Sequence, residues 1–219
     1  EFTFMVPKDI RYNYGNGRIV YYAYDTEAKE EGIGHFEDFV IGGSSSVEIQ
    51  DTIGPDIYMY INSPEFLDGG TTYEFPHFYA QVYDENGINT VGTGIGHDLL
   101  LVVDGSPKHT YVLNDYFTAD NNNYQQGKIS YKMPEMEEGA HTLTFRAWDL
   151  LNNSSSAMLN FQVIKGQGPQ LHKVITYPNP VAQSESLIFH IDHDQPDEII
   201  ETTIHLYDLS GRMIHTHAQ

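Results

Sequence analysis

Cysteine is missing from all 219 residues. Its absence excludes a thiol nucleophile, a thiolate metal centre and a disulfide framework together. Cations are scarce as well: eleven Lys and Arg face thirty-one Asp and Glu, a formal net charge of -20. Phosphate recognition needs clustered Lys and Arg, so nucleic acid is excluded as a partner. The same charge opposes adsorption to anionic lipid. Long apolar runs are lacking too. Leu99-Leu-Leu-Val-Val103 is the longest, about a quarter of the roughly 20 residues a membrane-spanning helix requires, so no direct membrane insertion is expected. No Gly-x-Ser-x-Gly elbow supplies a serine nucleophile; Ser44 to Ser46 follow two glycines in a linker-like run.

What the chain does hold is strand and turn chemistry. Sixteen Tyr and eleven Phe stand beside nineteen Gly and ten Pro, a bias toward pleated, half-buried surfaces and tight turns. The expected class is all-β. Residues 1–47 carry strand signals at Phe2 to Val6, Arg18 to Ala23 and Phe36 to Ile41, with turns at Tyr14-Gly15-Asn16-Gly17 and Gly42-Gly43. Strands so few rarely stand alone, so this partial sheet is expected to complete an upstream or adjacent one. The run Gly42 to Ser46 then serves as a flexible linker. The chain opens in the middle of a strand with no signal peptide before it, and is expected to be a C-terminal piece of a longer protein.

Residues 51–166 are more regular. Strand signals fall at Ile57–Ile61, Phe78–Tyr83, Leu99–Val103, Thr110–Leu113, Lys128–Lys132, Thr142–Trp148 and Met158–Val163. Seven short strands separated by turn residues predict an immunoglobulin-like sandwich. Phe78, Ala80 and Val82 should face inward, as should Leu143, Phe145 and Ala147. After Trp148, Asp149 and Asn153 should cap a tight turn. Gly32-Ile-Gly-His35 and Gly94-Ile-Gly-His97 echo one another, each read as a bend into a buried strand.

Residues 170–219 form a small β-module of about three strands. Leu187, Phe189 and Ile191 alternate with Ile188, His190 and Asp192, a period of two. Pro178 and Pro180 forbid ladder pairing around Asn179. Asp208-Leu-Ser-Gly211 reads as a hairpin turn. Tyr177-Pro178-Asn179-Pro180, followed by Leu206-Tyr207-Asp208-Leu-Ser-Gly211-Arg212, resembles the C-terminal sorting domain of cargo exported by the type IX secretion system of Bacteroidetes. These nine residues (Tyr177, Pro178, Asn179, Pro180, Leu206, Tyr207, Asp208, Gly211 and Arg212) are the candidate sorting and docking motif. Such domains usually continue past the Gly-Arg hairpin, so a truncated module is expected.

A second resemblance spans nearly the whole chain. Val6-Pro-Lys-Asp-Ile-Arg-Tyr12, Asp51-Thr-Ile-Gly-Pro-Asp-Ile-Tyr58, Asp84-Glu-Asn-Gly-Ile-Asn89, Gly94-Ile-Gly-His-Asp98, Leu113-Asn-Asp-Tyr116 and Gly139 through Asp149 together resemble the C-terminal region of the type IX secretion sortases, the PorU-like family of gingipain-related cysteine peptidases. The resemblance implies a cell-surface protein attached to the outer membrane. It also implies a peptidase domain upstream, which this region braces, and a retained terminal module docked to an outer-membrane β-barrel shuttle and other secretion components. The parent would remove sorting signals from cargo and attach that cargo to surface lipopolysaccharide. This fragment cannot be catalytic, since the family's chemistry needs a Cys thiolate paired with a His.

The alternative is a surface adhesin or glycan-binding module that carries the sorting domain as its address. Tyr21, Tyr22, Tyr24, Tyr58 and Tyr60 lie on strands, and aromatic faces stack on sugar rings. Two cation readings compete with ordinary solvated surface chemistry. His190 and His205 could meet across strands, with His215 and His217 on one face, for zinc. Asp115 with Asp120 to Asn123, or Asp84-Glu85-Asn86, offers hard oxygens for calcium. The histidine spacing is workable but no carboxylate-rich or Cys-bearing motif accompanies it, and the Asp/Asn loops lack EF-hand spacing, so no metal and no cofactor is expected.

Overall fold

Alternation decides which side chains meet. The computed structural model describes residues 6, 13–43, 50–91, 96–121, 123–166, 168, 171–182, 185–195 and 200–218. Within these, extended segments dominate and the only helical turns are two short 3-10 segments, so the chain is all-β. Residues 2–5 of the expected first strand and most of the serine linker lie outside the described residues.

Near the N-terminus, β1 (Gly15–Asn16) pairs with β4 (Val40–Ile41), and β2 (Ile19–Asp25) pairs antiparallel with β3 (Glu30–Phe36). Two corrections follow. The segment expected to turn at Gly15-Asn16 is instead a short paired strand. Gly32 and Gly34 do not bend the chain but lie inside β3, opposite Ala23 and Tyr21. An alternating Gly–x–Gly permits a bend without requiring one, and cross-strand pairing keeps it straight.

The central region is a two-sheet sandwich. One sheet has the order β10 (Phe117–Ala119), β11 (Gln126–Lys132), β7 (His77–Tyr83), β5 (Asp56–Ile61). The other has the order β6 (Gly70–Thr72), β13 (Ser154–Val163), β12 (Gly139–Trp148), β8 (Leu100–Val103), β9 (Thr110–Val112). All seven expected strands form. The sequence reading missed β6 and β10, each three residues long, because so short a run shows no period. In β6, only pairing parallel to β13 makes Gly70-Thr-Thr72 a strand.

The inner faces supply one apolar cluster. Phe78, Ala80 and Val82 of β7 meet Leu143, Phe145 and Ala147 of β12, with Ile61, Ile129, Leu101, Leu159 and Val163 around them. The Phe78 and Phe145 rings cross between the sheets at a centroid distance of 5.5 Å and a tilt of 50°. After β12, the buried Asp149 closes the turn as expected. Its Oδ1 accepts the N–H of Leu151 at 2.9 Å and of Asn153 at 2.7 Å. Local side-chain acceptors of this kind satisfy backbone donors that no ladder reaches.

The last segment forms two hairpins. β14 (Leu171–Tyr177) pairs with β15 (Ile188–His193), and β16 (Thr203–Tyr207) pairs with β17 (Met213–Ala218). The module therefore has four strands where about three were expected, because the run before Tyr177 is itself paired.

Truncating the ring at the centre of the sandwich tests this arrangement. Phe145→Ala should destabilise the chain by about 3–5 kcal/mol through the lost transfer energy and the cavity left behind. Urea unfolding followed by circular dichroism reads the shift in midpoint.

Candidate functional site

The candidate motif residues occupy different parts of the terminal module. Tyr177 ends β14 half-exposed, at 50% of its free surface. Pro178, Asn179 and Pro180 follow in an exposed bend, both X–Pro bonds being cis. Leu206 and Tyr207 end β16, and the pleat sends them to opposite faces.

The turn beyond is organised by one carboxylate. Asp208 Oδ1 accepts from the Ser210 N–H at 2.9 Å, the Ser210 hydroxyl at 2.6 Å and the Arg212 N–H at 3.0 Å. Its Oδ2 accepts from Arg212 Nε at 3.1 Å. The Ser210 hydrogen bond, with those from the Arg212 and Ser210 backbone and the Arg212 side chain, holds the Asp208 carboxyl below its ordinary range. Gly211 takes φ +82°, the left-handed region that costs other residues roughly 1–2 kcal/mol. Asp208, Gly211 and Arg212 thus build the turn, and they leave Leu209 fully exposed at its tip.

A groove of about 440 Å³ runs between the two hairpins. Phe189 and Ile191 of β15 line one side, and Ile204, Leu206, His215 and His217 of the second hairpin line the other. The expected alternation of Phe189 and Ile191 with His190 and Asp192 holds, and the apolar set faces the groove. The zinc reading is corrected. His190 and His205 lie on strands that do not pair with each other. His190 Nε2 instead meets Asp192 at 2.9 Å, and His205 Nδ1 meets the Thr216 hydroxyl at 3.1 Å.

The second place is a carboxylate cluster at one end of the sandwich. Ligand oxygens of Asp51, Asp84 and Asp149 lie within 4.8 Å of one another, with Asp84 and Asp149 buried. The sequence reading named Asp84 but grouped it with its chain neighbours Glu85 and Asn86. Spacing along the chain could not show that Asp51 and Asp149 converge on it. Two of the three are well supplied with donors: Asp51 Oδ2 accepts the Asn86 amide at 2.7 Å, and Asp149 Oδ2 accepts the Asn153 amide at 2.7 Å. Asp84 accepts the Asn86 N–H at 2.7 Å. Burial, reinforced by the charges of Asp149 and Asp51, pushes its carboxyl up to about 6. Hard oxygens suit calcium or magnesium, but calcium takes six to eight of them, and three carboxylates alone do not assign a metal.

The third place is the outer face of the β10-β11-β7-β5 sheet. Tyr58 and Tyr60 on β5 continue through Tyr79 and His77 on β7 as a ladder of rings. Successive centroids are 5.6, 5.2 and 4.6 Å apart, the last two pairs stacked. His77 anchors the ladder through its Nε2 contact of 2.8 Å to the Ser130 hydroxyl. Of the tyrosines weighed for sugar stacking, the structure groups Tyr58 with Tyr60. It leaves Tyr21, Tyr22 and Tyr24 on the separate β2–β3 ribbon.

Two measurements follow. An acid whose folded value lies above its unfolded value makes the folded state bind more protons between the two, so its stability cost is full at neutral pH and fades as pH falls. Asp84→Asn keeps the acceptor for the Asn86 N–H, and should raise the melting temperature at pH 7.5 but leave it unchanged near pH 4; thermal melts across that range decide it. Asp208→Ala removes the shared acceptor of the last hairpin. Amide exchange of Ser210 and Arg212 should accelerate strongly, read by hydrogen exchange, while amides of β12 keep their protection.

No helix among the described residues is long and apolar enough to cross a membrane. No protein-family model and no curated protein matches the chain. Among solved structures, the dimeric latent PorU from Porphyromonas gingivalis matches it at 35% sequence identity, over 99% of this chain and 20% of that one, with a TM-score of 0.56. The chain thus spans about a fifth of the length of PorU, and is similar to that portion from end to end.

Proposed function

We propose that this chain is the non-catalytic C-terminal region of a type IX secretion sortase, bracing the peptidase domain and docking the enzyme to its outer-membrane partners. The observation that carries the reading is the match to PorU, which covers 99% of the chain at 35% identity. A sorting domain shared by unrelated cargo would leave the sandwich unmatched. The sequence resemblance to the PorU-like family supports the same reading, since its quoted stretches run from Val6 to Asp149, outside the terminal module. With no cysteine the chain cannot supply the attacking thiolate, and its role in such an enzyme is to hold and to bind.

In this reading, residues 51–166 form the brace and residues 170–219 the docking module. The second hairpin and the groove are the surface offered to a β-barrel shuttle, with the whole assembly outside the cell. Leu206 supplies the groove's apolar wall, and the Asp208–Arg212 turn sets the hairpin's shape. Exposed apolar surface beside strand edges is the usual medium for such contacts.

The test is co-purification of the full-length sortase with its outer-membrane partners from detergent extracts. Leu206→Asp should abolish recovery of the barrel protein while cleavage of a small peptide substrate proceeds at the parental rate. Undiminished recovery of the barrel would refute the docking role.

A further inference from the structure

The outer face of the β10-β11-β7-β5 sheet holds a depression of about 280 Å³ at the end of the tyrosine ladder, bordered by Asp56, Tyr58, Gln81, Tyr83 and Gln126. Strand register fixes the pattern. Asp56, Tyr83 and Gln126 form one cross-strand row, and Tyr58, Gln81 and Lys128 the next. Inward neighbours Val82 and Ile129 are buried, so the pleat places these six residues on the solvent side. Tyr58 and Tyr83 stand diagonally across neighbouring strands, at a separation typically of about 7–8 Å. Both are open to solvent, at 52% and 45% of their free surface.

These groups differ from an ordinary surface in two ways. The Tyr58 ring is held in place: its hydroxyl donates to the Pro64 carbonyl at 3.0 Å, and Tyr60 lies against its other side. Among the described residues no hydrogen bond engages the Tyr83 hydroxyl, the Gln81 and Gln126 amides or the Asp56 carboxylate. A fixed aromatic face beside free amides and a carboxylate offers an apolar surface for a ring's C–H groups, with donors and acceptors for its hydroxyls. We propose that this depression binds a neutral carbohydrate, one sugar ring stacking on Tyr58 or Tyr83 while Gln81, Gln126 and Asp56 hydrogen-bond its hydroxyls.

Charge selects neutral over anionic sugar. Past Asp56 and Tyr83 the surface continues into a cleft bordered by Asp51, Asp84 and Glu85. No Lys or Arg is among the residues that line the depression; Lys128 stands in the Tyr58–Gln81 row, and an acidic glycan would meet mostly like charge. The volume lies near the lower end of small-ligand pockets, roughly 300–1,000 Å³, which fits a short stretch of a chain and not a large branched ligand.

Native gel electrophoresis of the 219-residue chain in gels containing mannan, hydroxyethylcellulose or dextran, with polygalacturonate as the anionic comparison, tests the proposal. Retardation is expected in at least one neutral gel and not in polygalacturonate. Tyr58→Ala and Tyr83→Ala should each weaken it by at least about tenfold in apparent Kd, equivalent to about 1.4 kcal/mol. Tyr22→Ala, on the separate ribbon, should leave it unchanged. Should either alanine variant melt early, amide shifts of Gln81, Tyr83 and Gln126 in the unaltered chain on adding mannohexaose, cellohexaose or maltohexaose give the same information. Free migration in every neutral gel, retardation by polygalacturonate alone, retardation that survives both substitutions, or shifts confined to other residues would each overturn the assignment.

Discussion

The pleat of β7 is the constraint on which the rest depends. Phe78, Ala80 and Val82 fill the space between the sheets, and Phe78 crosses the Phe145 ring there. Side-chain direction alternates with a period of two, so burying these three fixes His77, Tyr79, Gln81 and Tyr83 outward. A register slip of one residue would exchange the two sets and turn a histidine, a glutamine and two tyrosines toward the core. The tyrosine ladder, the amide pair and the exposed rings are therefore the reverse side of the packing decision. Core and surface chemistry on this sheet are one specification.

Carboxylates do two different jobs in the chain. Asp149 and Asp208 both follow strands and both gather the backbone donors of the next few residues. At those two positions an acid supplies hydrogen bonding that the ladder has run out of. Asp84 is different: the Asn86 and Gly87 N–H groups favour its charged form, but it sits buried beside two other acids, and its carboxyl rises accordingly. The contrast explains how so acidic a chain folds. Acids at turn starts are stabilised by their donors, while at one end of the sandwich Asp51, Asp84 and Asp149 crowd together and one of them holds its proton more tightly.

What the sequence made legible followed from period and turn chemistry. Strands with three or more buried alternating residues, such as β7 and β12, could be read directly, and so could the Asp149 and Asp208 turns. Contacts set by distant pairing could not. Gly70-Thr-Thr72 becomes a strand only beside β13, and Gly32 and Gly34 run straight only because β2 holds them. The same limit governs the candidate sites. Asp84 was visible as a loop acid, but its companions Asp51 and Asp149 are far away in sequence. Tyr58 is legible as one of five strand tyrosines, some of which must point outward, yet Gln81, Tyr83 and Gln126 acquire meaning only when register sets them in adjoining rows. His190 and His205 looked like partners because they share a module, and separate hairpins keep them apart.

The groove of the terminal module has a mechanical property that follows from how its walls are joined. Backbone hydrogen bonds run within the β14–β15 hairpin and within the β16–β17 hairpin, and among the described residues no ladder links β15 to β16. Among the described residues the groove between them is lined by side chains of both hairpins, Phe189 and Ile191 facing Ile204 and Leu206 among them. Dispersion contacts weaken gradually with separation and carry no fixed register, whereas a ladder must break bond by bond. A wedge entering between the hairpins would widen the groove by sliding aliphatic side chains, with every backbone pair intact. The width of the groove is thus set by side chains, and each hairpin carries its own ladder independently of the other.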